Sequence, residues 1–422
     1  MGNALAGGAA SDVASDGTHA FPRFLAWCAG IVAAGVGLLL AFSVLVDPYH
    51  LFGLIEVDGV NRIKPQPERY QQEIKLARLR AIQPDMVFFG NSRTEIGFDP
   101  DSPAIGARGH AAYNMGLAGT GMAVSQRMLE QAREGAPPAG LAIVGVEFLD
   151  FLVNAAVRPP RAPEVAHGFQ AVPWQWRVDT VFSLNAVADS VTTLRIQRAP
   201  EAQVMTQRGF NPLREYNGFA RKEGYHAIFQ QRAQENAKNL VARPRSLQLA
   251  GGAESDSTLR LRAMLDRMAQ DGTDVHLVIY PYHAQLLAMF DEAGLHDLMQ
   301  EWKRLLVQET DQALARHPGA RIRVWDFSGY GPYQCERIPA AGDRRSTTQW
   351  YWEGGHFKAT LGERMLERIF GGADDFGFAL AADSLARNAE RIAVERTQCA
   401  KVYPELFAGA RTLISKAGGA RQ

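Results

Sequence analysis

Five short apolar runs constrain how this chain can fold: Met86–Phe89, Ala111–Met115, Leu141–Val146, Val275–Tyr280 and Ile322–Phe327. After the second and the fourth lie stretches whose apolar residues recur every three or four positions, Val124 to Glu134 and Ala284 to Arg316, and Leu259 to Met268 precedes the fourth. That spacing predicts helices. Strands alternating with helices pair in parallel through right-handed crossovers, so the expected fold class is α/β, with a parallel sheet of about five strands. An amphipathic helix over Glu68 to Ile82, with Ile74, Leu76, Leu79 and Ile82 inward, is stopped by Pro84 just before the first strand.

Two segments stand outside this alternation. From Phe24 to Val46 no charged residue occurs, and 23 residues exceed the roughly 20 that a membrane helix needs, so residues 23–46 are expected to span a membrane once. A cleaved signal peptide is the rival reading, with Ala41-Phe42-Ser43 as a poor cleavage site. Residues 151–252, with Pro159-Pro160, Pro173-Trp174-Gln175-Trp176 and a polar stretch from Arg208 to Lys238, are expected to form a mostly helical insertion beside or over the site. It splits the sheet domain into halves at 47–150 and 253–372. A Gly/Ala/Ser-rich disordered tail over 1–22 and a helical segment over 373–422 complete the division.

Lys+Arg and Asp+Glu are both 45, for a net charge of +0, so nucleic acid is discarded as a partner. The three cysteines, Cys28, Cys335 and Cys399, have no metal-ligand spacing and no disulfide framework; Cys335 and Cys399 either pair outside the cytosol or remain thiols.

The first strand runs into Gly90-Asn91-Ser92-Arg93, which places Ser92 at a carboxyl strand end, where open α/β sheets build their sites. A serine hydroxyl needs a base and a group to orient that base. Late in the chain Glu353-Gly354-Gly355-His356 offers both. A metal half-site is the competing view of a carboxylate and His at this spacing, but it needs a second copy, and the sequence holds none; no metal or cofactor is expected.

Gly-Asn-Ser-Arg early and an acid-x-x-His late resemble the SGNH (GDSL-like) hydrolase superfamily, and within it the membrane-anchored branch of alginate O-acetyltransferases and teichoic-acid D-alanyl transfer proteins. The resemblance implies a three-layer α/β/α domain, Ser92 as nucleophile, His356 as base and Glu353 as orienting acid. It also implies an oxyanion hole from the Ser92 amide, a glycine amide matched by Gly119 in Asn114-Met115-Gly116-Leu117-Ala118-Gly119, and an asparagine after the third strand. Glu147 stands at that last place, and a carboxylate repels an oxyanion unless protonated or turned away; either the hole uses two amides or another donor substitutes, with Asn91 and Asn154 as the candidates. Arg93 either holds an acceptor or pairs with Glu95 or Glu147, and His283, after the fourth strand, is a further pocket candidate with Asn114.

The expected protein is thus a single-pass protein of the cytoplasmic (inner) membrane with its domain on the periplasmic side. It would act as an acyltransferase or esterase on exported polysaccharide or lipid-linked glycan, working with a multi-pass membrane acyl carrier. The alternative is a non-catalytic scaffold of a polysaccharide export complex, for which Glu147 speaks.

Overall fold

A computed structural model of the chain describes residues 16–67, 69–158, 180, 182–372 and 375–419. Residues 1–15 of the expected tail, Pro159-Pro160 and Pro173 to Trp176 lie outside the described residues. The fold is mixed α/β around a mostly parallel sheet. Its strands are β1 Met86–Phe89, β2 Ala112–Asn114, β3 Leu141–Val146, β4 Asp274–Ile279, β5 Arg321–Asp326 and β6 Phe378–Leu380. They lie in the order β6-β5-β4-β3-β1-β2. The first five are parallel, with Met86 opposite both Ala112 and Leu141, and Val144 opposite Leu277. Every residue of β1, β2 and β3 is buried, as apolar strands covered on both faces must be.

The chain passes from β1 to β2 on one side and then to β3 on the other. The crossovers that leave the neighbouring strands β1 and β3 then run to opposite sides, to β2 and to β4, and such a divergence opens a crevice at the carboxyl ends of the two strands. Ser92 stands in that position.

Two expectations are corrected. The segment 373–422 is not only helical: Phe378–Leu380 adds an antiparallel edge strand to β5 before the helices Leu385–Val402 and Pro404–Gly419. Nor is the tail irregular up to residue 22, because the N-terminal helix runs Asp16–Val46, with Pro22 inside it. Once the apolar run has nucleated a helix, each further residue extends it at small cost.

The last turn of that helix is fastened to the domain. Lys64 Nζ donates to the Val46 carbonyl at 2.8 Å, and Tyr49 Oη donates to Asp189 at 2.5 Å. The helix Leu184–Ile196, part of the insertion, packs against it. At the far side of the sheet, Cys335 and Cys399 form a disulfide with their Cα atoms 6.0 Å apart, tying the loop after β5 to the helix Leu385–Val402. Closing a loop of this length restricts the unfolded chain, so replacing both cysteines by serine is expected to lower the unfolding free energy by about 2–4 kcal/mol. Urea midpoints of the detergent-solubilised chain measure this, and an unchanged midpoint contradicts it.

Candidate active site

The turn that carries Ser92 follows from the residues after β1. Gly90 has φ 150°, and a Cβ there would overlap the Thr94 and Tyr280 hydroxyls, so only glycine lets the chain turn at this point. Asn91 is extended and caps the short helix Ser92–Gly97, its Oδ1 accepting the Arg93 N–H at 3.0 Å. Ser92 is therefore the first helical residue, with its hydroxyl free to face the late segment.

That segment is a hairpin. Tyr351–Glu353 pairs with His356–Phe357 across the two-residue turn Gly354-Gly355. The Ser92 Oγ lies 2.8 Å from His356 Nε2, and His356 Nδ1 hydrogen-bonds Glu353 Oε1. The other oxygen of Glu353 accepts the Gly355 N–H at 2.8 Å. Glu353 is 2% exposed. Burial by itself raises a carboxyl, but the His356 charge and hydrogen bond, the Gly355 N–H and Arg93 together hold Glu353 down at about 2. An ionised carboxylate on Nδ1 fixes the ring with its proton there and leaves Nε2 as the acceptor facing Ser92.

What brings the two segments together is close contact at two glycines. A Cβ on Gly97 would overlap the Phe357 ring, and one on Gly362 would overlap the Gly97 carbonyl oxygen. The helix Ser92–Gly97 thus lies directly on the hairpin and on the helix Ala359–Ile369 that follows it.

Ser92, Gly119 and His356 share a cleft of about 640 Å³. Gly119 has φ 70° and open space where a Cβ would be, and among the described residues no group accepts from the Ser92 or Gly119 N–H. The described part of the insertion supplies most of the walls. Tyr216 and Phe219 stand edge to face at 5.7 Å, with Gln203, Asn211, Gln231 and Arg232 around them. Arg232 donates to Tyr216 Oη at 2.8 Å. The cleft is therefore open, with an aromatic platform and a polar rim.

The other sequence candidates lie elsewhere. Arg93 is ion-paired with Glu147, and its guanidinium lies 5.2 Å from the centre of the Tyr282 ring. Glu147 also accepts from Tyr282 Oη at 2.9 Å and from Asn91 Nδ2 at 3.4 Å. Glu147 thus does not line the cleft that holds Ser92 and His356, and the Asn91 amide is turned toward it. Asn114 is fully buried: its Nδ2 donates to the Thr94 and Phe98 carbonyls at 2.8 Å each, and its Oδ1 accepts the Gly116 N–H. It staples β2 to the helix Ser92–Gly97, with both amide hydrogens used inside the fold.

His283 is also buried and serves the hairpin from behind. Its backbone N–H donates to the Gly354 carbonyl at 3.2 Å, Nδ1 accepts the Gln285 N–H, and Nε2 reaches the Glu336 carbonyl at 2.8 Å. Burial lowers its pKa to about 4 and keeps the ring neutral. Asn154 is exposed, its side chain accepting the Ala156 N–H.

Reasoning from sequence missed Lys75, wholly buried and 3.2 Å from Glu95 on the helix Ser92–Gly97, with further donation to the Gly209 carbonyl at 2.8 Å. It also missed Gly97 and Gly362. Among the described residues no group of three or more His, Cys, Asp or Glu side chains is placed to hold a metal ion. No family model matches the chain, and no match was found among curated proteins.

Because backbone cannot retreat from the Gly97 carbonyl, Gly362→Ala is expected to cost at least about 2 kcal/mol in unfolding free energy. Gly409→Ala, in open space on the last helix, is the matched control. Equal midpoints for the two variants contradict the close-contact account.

Proposed function

We propose that this chain is a membrane-attached serine acyltransferase or esterase with a three-layer SGNH-like domain, acting on exported or cell-surface polysaccharide or lipid-linked glycan. The single observation that carries the reading is the Ser92 Oγ to His356 Nε2 contact at 2.8 Å with ionised Glu353 behind the ring. Residues separated by 264 positions in sequence meet in the order of a nucleophile, a base and its orienting acid.

In this mechanism Ser92 Oγ attacks the acyl carbonyl carbon while His356 Nε2 takes its proton. The resulting oxyanion is met by the Ser92 and Gly119 N–H groups. Collapse expels the donor's leaving oxygen, which takes the proton from His356, and leaves an acyl ester on Ser92. A sugar hydroxyl, or water, then gives its proton to His356 and attacks that ester, and the return of the proton to Ser92 Oγ restores the enzyme. The Tyr216–Phe219 platform fits the apolar face of a sugar ring, and Gln203, Asn211, Gln231 and Arg232 fit its hydroxyls.

Compartment and partners follow the same reading. One helix, Phe21–Val46, is long and apolar enough to cross a membrane. The Cys335–Cys399 disulfide favours the oxidising, extracytoplasmic side of the cytoplasmic membrane. Acyl groups then have to be delivered across that membrane, for which a multi-pass carrier protein is the proposed partner. The feature that spoke for a non-catalytic scaffold, a carboxylate at 147, is ion-paired with Arg93 and does not line the cleft, which supports the catalytic reading over the scaffold.

With a chromogenic acetyl ester, Ser92→Ala and His356→Ala are each expected to lower kcat by about a thousandfold or more, and Glu353→Gln by about a hundredfold or more. Steady-state hydrolysis by the full chain in detergent measures this. Turnover by Ser92→Ala at the rate of the parent chain sinks the proposal.

A further inference from the structure

We infer that residues 51–60 form a second membrane contact, an apolar shelf seated in the headgroup–acyl boundary of the leaflet next to the domain. Five large apolar side chains in this loop face outward: Phe52, Leu54, Ile55, Val57 and Val60, with Leu54 62% exposed. An exposed apolar stretch is usually mobile, yet this one is fixed by polar groups beneath it. The Asp47 carboxylate accepts the N–H groups of Leu51, Phe52 and Gly53 at 2.8, 2.9 and 2.7 Å. Asn61 closes the other end, its Oδ1 accepting the Val57 N–H and its Nδ2 donating to the Ile55 carbonyl, both at 2.8 Å. The fold thus holds the apolar groups out toward their surroundings.

Their height fits a lipid surface. Asn61 Nδ2 also reaches the Val46 carbonyl at 3.3 Å, so the loop lies level with the last turn of the N-terminal helix. Ser43 and Val46 in that turn are already covered by the domain. The lipid-facing part of the helix is then Phe24 to Phe42, about 28 Å at the usual rise and close to the thickness of a bilayer's hydrocarbon core. The core's boundary therefore falls beside the loop. The charges agree with an interfacial depth: Glu56 is engaged by His50 and Gln207 on the protein side, and Asp58 pairs with Arg62 at the exposed rim. Continuity with the lipid-facing helix identifies the occupant as lipid rather than a partner protein or a second copy.

The inference is independent of the serine chemistry, and Ser92→Ala is expected to leave it unchanged. The test uses the full chain with Cys28→Ser, reconstituted into vesicles of phosphatidylcholine and phosphatidylglycerol. Nitroxide labels are placed at Leu54→Cys and Val57→Cys, with Val402→Cys, on an exposed helix face of the domain, as the reference. Collision with a water-soluble nickel chelate is expected to be at least about threefold lower at 54 and 57 than at 402, with collision by oxygen higher. Equal chelate access at the three positions overturns the inference and leaves the surface to a partner protein. Protection from both chelate and oxygen overturns it in favour of a second copy.

Discussion

Contact between backbone and ring at Gly97, Phe357 and Gly362 is the constraint on which the arrangement of the site depends. It allows the helix Ser92–Gly97 to lie on the hairpin without an intervening side chain, and this sets the distance between Ser92 and His356. A side chain at Gly362 has only backbone to displace, so the whole helix Ala359–Ile369 would have to move, and the hairpin with it. The sheet supplies the other half of the geometry. Parallel pairing puts the carboxyl ends of β1, β3 and β4 at one edge, and from that edge Tyr280 reaches back to Thr94 at 2.9 Å while the Pro281 carbonyl accepts from Tyr351 at 2.9 Å.

Beside Ser92, His356 and Glu353 the protein buries charge. Arg93, Glu147, Tyr282 and Asn91 form one hydrogen-bonded group, and Lys75 with Glu95 forms another at the helix Ser92–Gly97. Such pairs contribute little net stability, because desolvation of both partners offsets their attraction. Losing one partner is costly, however, since it strands the other charge in the interior. Their effect is to allow only the arrangement in which every partner is present. Arg93 belongs to both parts of the site, as its charge also helps keep Glu353 ionised.

The central strands were legible because each is a continuous apolar run with a turn at its end, and Ser92, His356 and Glu353 because short motifs mark them. Phe378–Leu380 was not: three residues after a glycine carry no periodicity, and only β5 makes them a strand. Asn114 and His283 sit at strand ends, where ligand-facing groups are usual, yet both are fully used by internal hydrogen bonds that no local pattern encodes. Lys75 read as the charged side of an amphipathic helix, whereas its ammonium finds Glu95 and two carbonyls in the interior. Cys335 and Cys399, 64 positions apart, offered no cue to proximity. The cleft walls were legible only as an insertion near the site, since short polar helices fold according to what they pack on.

The account stands on Ser92 being a nucleophile activated by His356. The most direct measurement is the rate of covalent modification of the full chain by a fluorophosphonate, followed by mass analysis of its proteolytic peptides. The account predicts a single adduct on Ser92, formed far more slowly when His356 is replaced by alanine. An unmodified Ser92 under conditions that label a reference serine esterase, or a rate indifferent to His356, would contradict it.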